Sequence, residues 1–294
     1  MQTRPFGRTG IEVPVLGFGA MQVGDPALAE PVAARVLNAA LDLGLTLIDT
    51  ARSYGLAEER IGRHLAHRRA EFVLSTKVGY GVDGLPDWTY DCIIAGVEAA
   101  CRRLRTEVID IVHLHSCGVE TLGNGEVTAA LARCVEQGKG RAAAYSGDDE
   151  PLRVALDDRR FSGVQASVNL CDQQALELLA QARARGVGTI AKRPLAGRPW
   201  ASRSMPTDAV HAEYHRRFDA MGCTLPAGPG DWECVALRFA AHAPGVDCAI
   251  VGGTDARHLE RNAAAVASGP LDAALERRLR AAFDAAGPHW RGLV

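Results

Sequence analysis

One feature narrows the fold of this chain more than any other. A short apolar run is followed by a longer stretch of helical character, eight times over. The short runs are VPVLGFGA (13–20), LTLIDT (45–50), FVLSTKVG (72–79), IDIVHLHS (109–116), RAAAYSG (141–147), GVQASVNL (163–170), GTIAKRP (188–194) and CAIVGG (248–253). Between them, apolar residues three to four apart mark helices, as in PALAEPVAARVLNAALDLG, which stops at Gly44. Short apolar strands suit a parallel sheet buried on both faces. Eight strand–helix units therefore predict an α/β fold, a (β/α)8 TIM barrel. A doubly wound sheet is the competing architecture. It asks for G-x-G-x-x-G after an early strand, and GFGAMQ lacks the last glycine. Ahead of the first barrel strand, RPFGRTGIEV predicts an N-terminal β-hairpin placed to plug the lower mouth. LDAALERRLRAAFDAAG predicts a C-terminal extra helix. No domain boundary or repeat interrupts the pattern, so residues 1–294 read as a single barrel domain. The longest stretch without a clear element is 195–230, after the seventh strand. Long irregular segments in compact domains are usually functional, and on the upper rim this one would cover a ligand.

Composition removes several function classes. A formal charge of −2 without a Lys/Arg run gives no electrostatic footprint for nucleic acid. No apolar stretch approaches about 18 residues, so no membrane span is expected. The start MQTRPFGRTG lacks the apolar region of a signal peptide, and the expected location is cytoplasmic. Eight cysteines without a C-x-x-C pair read as reduced, structural thiols rather than a disulfide framework or zinc site. No metal site is expected. Among 33 basic residues only Lys77, Lys139 and Lys192 are lysines. A compact ammonium differs chemically from a guanidinium, so each lysine raises the question of whether an ammonium was required.

Polar residues gather at the C-terminal ends of the strands. The second strand ends on Asp49, with Tyr54 just beyond, and the third on Lys77. The fourth carries His113 and His115, the fifth Tyr145 and Ser146, and the sixth Gln165, Ser167 and Asn169. Lys192 and Arg193 follow on the seventh, and Gly252, Gly253 and Thr254 on the eighth. In a barrel these ends form one face, where such enzymes keep their active sites. A free phenol holds its proton to about pH 10, and a neighbouring cation favours the phenolate. Lys77, one strand over, can supply that cation to Tyr54. Asp49 can hold the ammonium in place, and His115 can direct a ring N–H at the same oxygen. Together they make an acid suited to protonate an oxygen that is gaining negative charge, as carbonyl reduction by hydride requires. Each residue alone has a structural explanation, a cap, packing or a rim charge. His113, deeper on the same face, is expected to be a core histidine.

DTARSYGLAEERIG, STKVG and IDIVHLHS together resemble the aldo-keto reductases. The order and spacing match the tetrad motifs of that family, D-T-A-x-x-Y-G-x-x-E-x-x-x-G, a T-K pair, and an Asp five residues before a His. By that resemblance Asp49, Tyr54, Lys77 and His115 take the catalytic places, and Asp110 is the acid preceding the histidine. LGFGAMQVG, YSG, VQASVNL, IAKRPLAG and VGGTDARHLERN extend the likeness over about residues 5–268. It implies a nicotinamide cofactor lying extended across the rim. Gly19, Ala20 and Met21 would line the nicotinamide end, and Ser146 and Gln165 would hold the carboxamide. Gly147 stands where the family often has Asn, so one amide contact would be either missing or made by Asn169. Pro194, Leu195 and Gly197 would run beside the pyrophosphate, with Gly252, Gly253 and Thr254 near the phosphates. His258, Arg261 and Asn262 would hold the adenosine end, flanked by Arg257. Cations there favour NADPH over NADH.

The partner implied is a small-molecule carbonyl substrate, and the oligomeric state is not legible. Trp88, Trp200 and Trp232 are candidates to line an apolar substrate pocket. The tail PHWRGLV after the final helix is short, so a long C-terminal substrate loop is not expected. Three other readings compete: Schiff-base chemistry on Lys77, a metal at the H-L-H of 113–115, and a cofactor-binding regulatory barrel with little turnover.

Overall fold

The computed structural model describes residues 1–202, 204–224, 232–287 and 289–293. The chain opens with β1 (Thr3–Pro5) paired antiparallel to β2 (Glu12–Pro14). Eight parallel strands follow and close on themselves: β3 (Leu16–Gly19), β4 (Leu47–Asp49), β5 (Val73–Val78), β6 (Ile109–His115), β7 (Gly140–Ser146), β8 (Gly163–Ser167), β9 (Gly188–Lys192) and β10 (Cys248–Val251). β10 returns to pair with β3. The helices outside the strands are α1 (Glu30–Asp42), α2 (Ala57–Leu65), α3 (Tyr90–Leu104), α4 (Val119–Gly123), α5 (Glu126–Glu136) and α6 (Asp149–Asp157). They continue with α7 (Leu176–Ala184), α8 (Ala209–Met221), α9 (Trp232–Ala241), α10 (Ala256–Ala267) and α11 (Ala273–Ala286), the expected extra helix. The predicted barrel with its N-terminal hairpin is the observed fold.

Successive residues of a strand face opposite sides of the sheet, and here one side is the barrel interior. Leu47, Ile111, Ala142, Ala144, Ile190, Cys248 and Ile250 fill it, together with Phe6, Ile11 and Val13 of the hairpin. Phe6 is fully buried. Gly163 and Gly188, which begin β8 and β9, leave room for its ring, and a Cβ at either would overlap it. Arg4 donates to the Ala241 and Val246 carbonyls at 2.9 and 2.7 Å and ties the hairpin to the segment before β10. The hairpin therefore closes the lower mouth, and the polar strand ends are left at the upper one.

Two elements differ from the sequence-based expectation. The first barrel strand begins at Leu16, because Val13 and Pro14 are spent on the hairpin. The segment 195–230 is not uniformly irregular: it contains α8. That helix buries Tyr214, His215 and Arg217, and polar residues on the inner face break the apolar period that would have marked it. Residues 225–230 of the segment, and Arg203, lie outside the described residues.

Candidate active site

The position of Tyr54 is set from both sides. Beneath its turn lies Gly24, whose carbonyl accepts from Leu56 N at 2.8 Å. A Cβ on Gly24 would fall on the Tyr54 carbonyl. Gly55 follows with φ +53, a left-handed conformation that favours glycine. Behind the turn, α2 carries two buried charged residues, Glu58 and Arg60. Arg60 donates to the carbonyls of Val23, Asp25 and Leu28 at 2.7, 2.8 and 2.7 Å, and to Glu30 at 2.9 Å. Glu58 accepts from Thr76 Oγ1 and Arg103 Nε, each at 2.6 Å. Thr76 precedes Lys77, so the helix after Tyr54 also fixes the strand that bears the lysine.

Strand register brings the charges together. Asp49 sits opposite Ser75, Lys77 opposite His113, and His115 opposite Ser146. Lys77 Nζ donates to Asp49 Oδ2 at 2.6 Å and to the Thr50 carbonyl at 2.8 Å, with Asp49 and Lys77 each 1% exposed. Ser75 Oγ and Gln165 Nε2 donate to Asp49 Oδ1 at 2.8 and 3.0 Å. Burial works against charge on both members of the pair. For Asp49 the Lys77 charge outweighs it and lowers the carboxyl pKa. For Lys77 the Asp49 charge and the Tyr54 phenol raise the ammonium pKa. The ammonium lies 4.9 Å from the centroid of the Tyr54 ring. His115 meets that ring edge-on, with centroids 6.0 Å apart. The four residues predicted from the strand ends thus form one cluster. His113 is buried below it, with Nε2 at 3.1 Å from Ser75 Oγ. Burial pushes His113 down to about 4. Burial first, and the Lys77 charge second, push His115 down to about 3, so both rings are neutral near pH 7. Asp110 is at the other end of β6. It is bonded by Arg69, Arg141 and Leu74 N at 2.7, 2.7 and 2.8 Å and staples the lower barrel.

Sequence reasoning gave no task to Tyr80, which the structure puts against His115. Its hydroxyl lies 2.9 Å from His115 Nδ1 and 3.1 Å from Ser53 Oγ. The edge of Trp88 packs on it at 5.7 Å. Trp88 in turn covers Gly79, where a Cβ would overlap the indole. The one available signal was the glycine between Lys77 and Tyr80, which bends the chain over the rim with φ +144. Trp200 and Trp232 form a separate group with Phe218, the indoles 6.3 Å apart. With Arg198, His215 and Glu233 they line a cavity of about 740 Å³.

The remaining rim residues sort by burial. Ser146 Oγ donates to Gln165 Oε1 at 3.0 Å, which links both to Asp49. A side chain at Gly147 would strike the Tyr145 phenol, which is committed to the Cys117 carbonyl at 2.8 Å. That accounts for glycine at this position. Asn169 is fully buried. Its Oδ1 accepts from Cys171 N at 2.9 Å, and its Nδ2 makes no geometrically satisfied hydrogen bond among the described residues. Gly19 and Gly252 adjoin at the ends of β3 and β10, and a Cβ on Gly252 would strike the Gln22 amide. Met21 beside them is 55% exposed. Lys192 pairs with Asp148 at 2.6 Å. Burial, and then the Asp148 charge, lift Asp172 to about 7. Pro194 is buried, Leu195 partly so, and Gly197 exposed with φ +69. On α10, Asn262 is buried, while His258 and Arg261 are exposed and their side chains make no hydrogen bond or ion pair among the described residues. Arg257 turns back to Asp255 at 3.3 Å.

The profile of the aldo/keto reductase family matches residues 15–282. The chain belongs to the aldo/keto reductase family. L-galactose dehydrogenase of Arabidopsis thaliana is 25% identical over 288 residues, covering 90% of this chain and 88% of that one. The 6-dehydroglucose reductase of Novosphingobium aromaticivorans is 27% identical over 283 residues, with 90% of each chain covered. Aldo-keto reductase AKR11C1 from Bacillus halodurans, in its holo form, shares the fold at a TM-score of 0.83, with 24% identity and 96% of each chain covered. This aldo/keto reductase is therefore an oxidoreductase acting between carbonyl and alcohol with a nicotinamide cofactor. No helix among its described residues is long and apolar enough to cross a membrane.

Proposed function

We propose that this aldo/keto reductase reduces an aldehyde or ketone with NADPH, and that Tyr54 is the proton donor. The observation that carries the reading is the buried Lys77–Asp49 pair beneath the Tyr54 ring, with neutral His115 beside it. When bound, the nicotinamide supplies a hydride to the carbonyl carbon. As the C=O π electrons move to oxygen, the Tyr54 hydroxyl gives that oxygen its proton. Lys77 stabilises the phenolate left behind, and Asp49 keeps Lys77 charged. His115 Nε2 orients the reacting oxygen. A Schiff-base role for Lys77 fits poorly, because it needs a neutral amine and this ammonium is held by Asp49 and the Thr50 carbonyl. Relatives named for L-galactose and 6-dehydroglucose support a hydroxylated carbonyl compound as substrate class.

The residues present fit the cofactor. Gly19, Gly252 and Gly253 leave bare backbone between β3 and β10, a cradle that side chains would fill. Ala20 and Met21 extend it on the nicotinamide side. Gln165 has a second amide hydrogen beyond the one given to Asp49, and Ser146 has free lone pairs, so together they suit a carboxamide. The Nδ2 of Asn169, without a satisfied hydrogen bond among the described residues, is a further donor there. Pro194, Leu195 and Gly197 would flank the pyrophosphate, and Thr254 the phosphates. Arg261 is an uncommitted cation for a 2′-phosphate, with the side chains of His258 and Asn262 on the same helix as further donors, which supports NADPH over NADH. We also propose that residues 1–294 act as one barrel domain, in the cytoplasm.

Two measurements test this. Tyr54→Phe should abolish carbonyl reduction while leaving NADPH affinity, read by fluorescence titration, nearly unchanged. The wild type should show a much lower KM for NADPH than for NADH, and Arg261→Ala should narrow the gap. Equal use of both cofactors would remove the 2′-phosphate assignment, and an active Tyr54→Phe enzyme would remove the proton donor.

A further inference from the structure

Tyr80 touches the site but has no part in the steps above. Its hydroxyl lies 2.9 Å from His115 Nδ1, where either atom can carry the hydrogen, and is placed to donate to Ser53 Oγ at 3.1 Å. The Tyr80 and His115 rings are within 22° of parallel, with centroids 5.6 Å apart. A phenol has one hydrogen, and a neutral imidazole has one N–H. Tyr80 can therefore donate to Ser53 or to His115, not to both, and its choice decides the tautomer of the histidine. If Tyr80 donates to Ser53, it accepts from Nδ1–H, and Nε2 is left as a bare acceptor. If Tyr80 donates to Nδ1, the ring hydrogen sits on Nε2. His115 Nε2 has no hydrogen-bond partner among the described residues, so it is the nitrogen left for a ligand. A carbonyl oxygen can accept only from Nε2–H. Ser53 is exposed, so its hydroxyl can bond to solvent when the phenol hydrogen turns to Nδ1, and this second arrangement leaves no group unpaired.

Resting on the reading of the site as a carbonyl reductase, we propose that Tyr80 is a positioning residue that sets the His115 tautomer. By donating to Nδ1 it leaves Nε2–H to face the reacting oxygen. The same tautomer serves reduction and oxidation, because both pass through one transition state. Two features hold Tyr80 to this task. The edge of Trp88 packs on its ring, and Trp88 is itself seated over the bare backbone of Gly79. The neutrality of His115 is the precondition, since an imidazolium would carry hydrogen on both nitrogens and leave nothing to select.

The test uses the full chain with 15N-labelled histidine, bound to NADP+ and glyceraldehyde, a pairing that cannot reduce the aldehyde. In the wild type the His115 nitrogens should read as Nε2–H and bare Nδ1. Tyr80→Phe keeps the ring and removes the donor, so the population should move toward Nδ1–H. Ser53→Ala removes the competing acceptor and should move the free enzyme toward Nε2–H. Two variants of one contact shifting the tautomer in opposite directions is a signature that mere loss of packing does not produce. For glyceraldehyde reduction, Tyr80→Phe should lower kcat about tenfold with KM for NADPH unchanged. That is a smaller loss than the roughly hundredfold of removing an oxygen-facing donor itself. Normal wild-type turnover with the same tautomer in wild type and Tyr80→Phe overturns this assignment alone. A wild type that reduces no carbonyl overturns the functional reading, and this assignment with it.

Discussion

The Asp49 carboxylate takes three donors, Lys77 Nζ, Ser75 Oγ and Gln165 Nε2. Asp49→Asn leaves the Lys77 ammonium buried without a countercharge, and breaking a buried pair from one side costs about 3–5 kcal/mol. Urea unfolding at neutral pH should show a loss of that size. Unchanged stability would mean that Lys77 gives up its proton instead. The neighbouring histidines set a pH dependence whose sign can be worked out. In the folded chain His113 and His115 sit at about 4 and about 3, below their ordinary value. Between those values and the ordinary imidazole pKa of about 6.5, the unfolded chain binds more protons. Their contribution to stability is therefore lost as pH falls through that window and regained as it rises. Asp172, lifted to about 7 by burial and by Asp148, acts in the opposite sense. Folded, it keeps a proton that the unfolded chain has released, so its contribution is lost as pH rises from about 4 to about 7. Asp172→Asn should remove that loss and deepen the loss on acidification, which Asp172 otherwise offsets over the same window. Asp49, Tyr54, Lys77 and His115 were legible in the sequence because each ends, or directly follows, one of three consecutive strands. Ser75 was not, since a strand serine is unremarkable until register sets it opposite Asp49. Tyr80 was missed for a related reason: only the bend at Gly79 returns it to the rim.

At the scale of elements, α2 and the loop after β3 act as a clamp on the Tyr54 turn. The motif AEERIG carries that clamp in two buried charges, Glu58 toward Thr76 and Arg60 toward three carbonyls. In the sequence both look like the solvent face of an amphipathic helix, because nothing local distinguishes a buried, fully bonded arginine from an exposed one. The same limitation hid α8, whose buried side includes His215 and Arg217. Gly24 is where the clamp can be tested. Gly24→Ala puts a Cβ onto the Tyr54 carbonyl, so the turn must shift. A misplacement of about 1 Å can cost about a hundredfold in rate. The expected result is a fall of that order in kcat with NADPH binding retained, because the residues of β3 and β10 proposed to face the cofactor are left in place. Loss of both together would show that the turn and the cofactor cleft move as one.

At the scale of the whole barrel, the two mouths have different tasks. The upper mouth carries ionisable side chains whose burial opposes folding. The lower one carries Phe6, Ile11 and Val13, which favour it. Conservative strand–helix alternation made the barrel legible, and RPFGRTGIEV made the hairpin legible. The fit between them was not, because it depends on glycines far apart in sequence. Gly163 and Gly188 start their strands without side chains, and the Phe6 ring occupies the space that results. Phe6→Ala empties that space, and the rigid strand ends around it cannot collapse far. Truncating a buried phenylalanine costs about 3–5 kcal/mol, which denaturant unfolding would read directly. Tyr54, Lys77 and His115 lie at the opposite mouth, so kcat of the remaining folded enzyme should match the wild type. If kcat fell in a fully folded sample, strain from the lower mouth would have to reach the rim through the strands, and the division of labour between the two ends would be wrong.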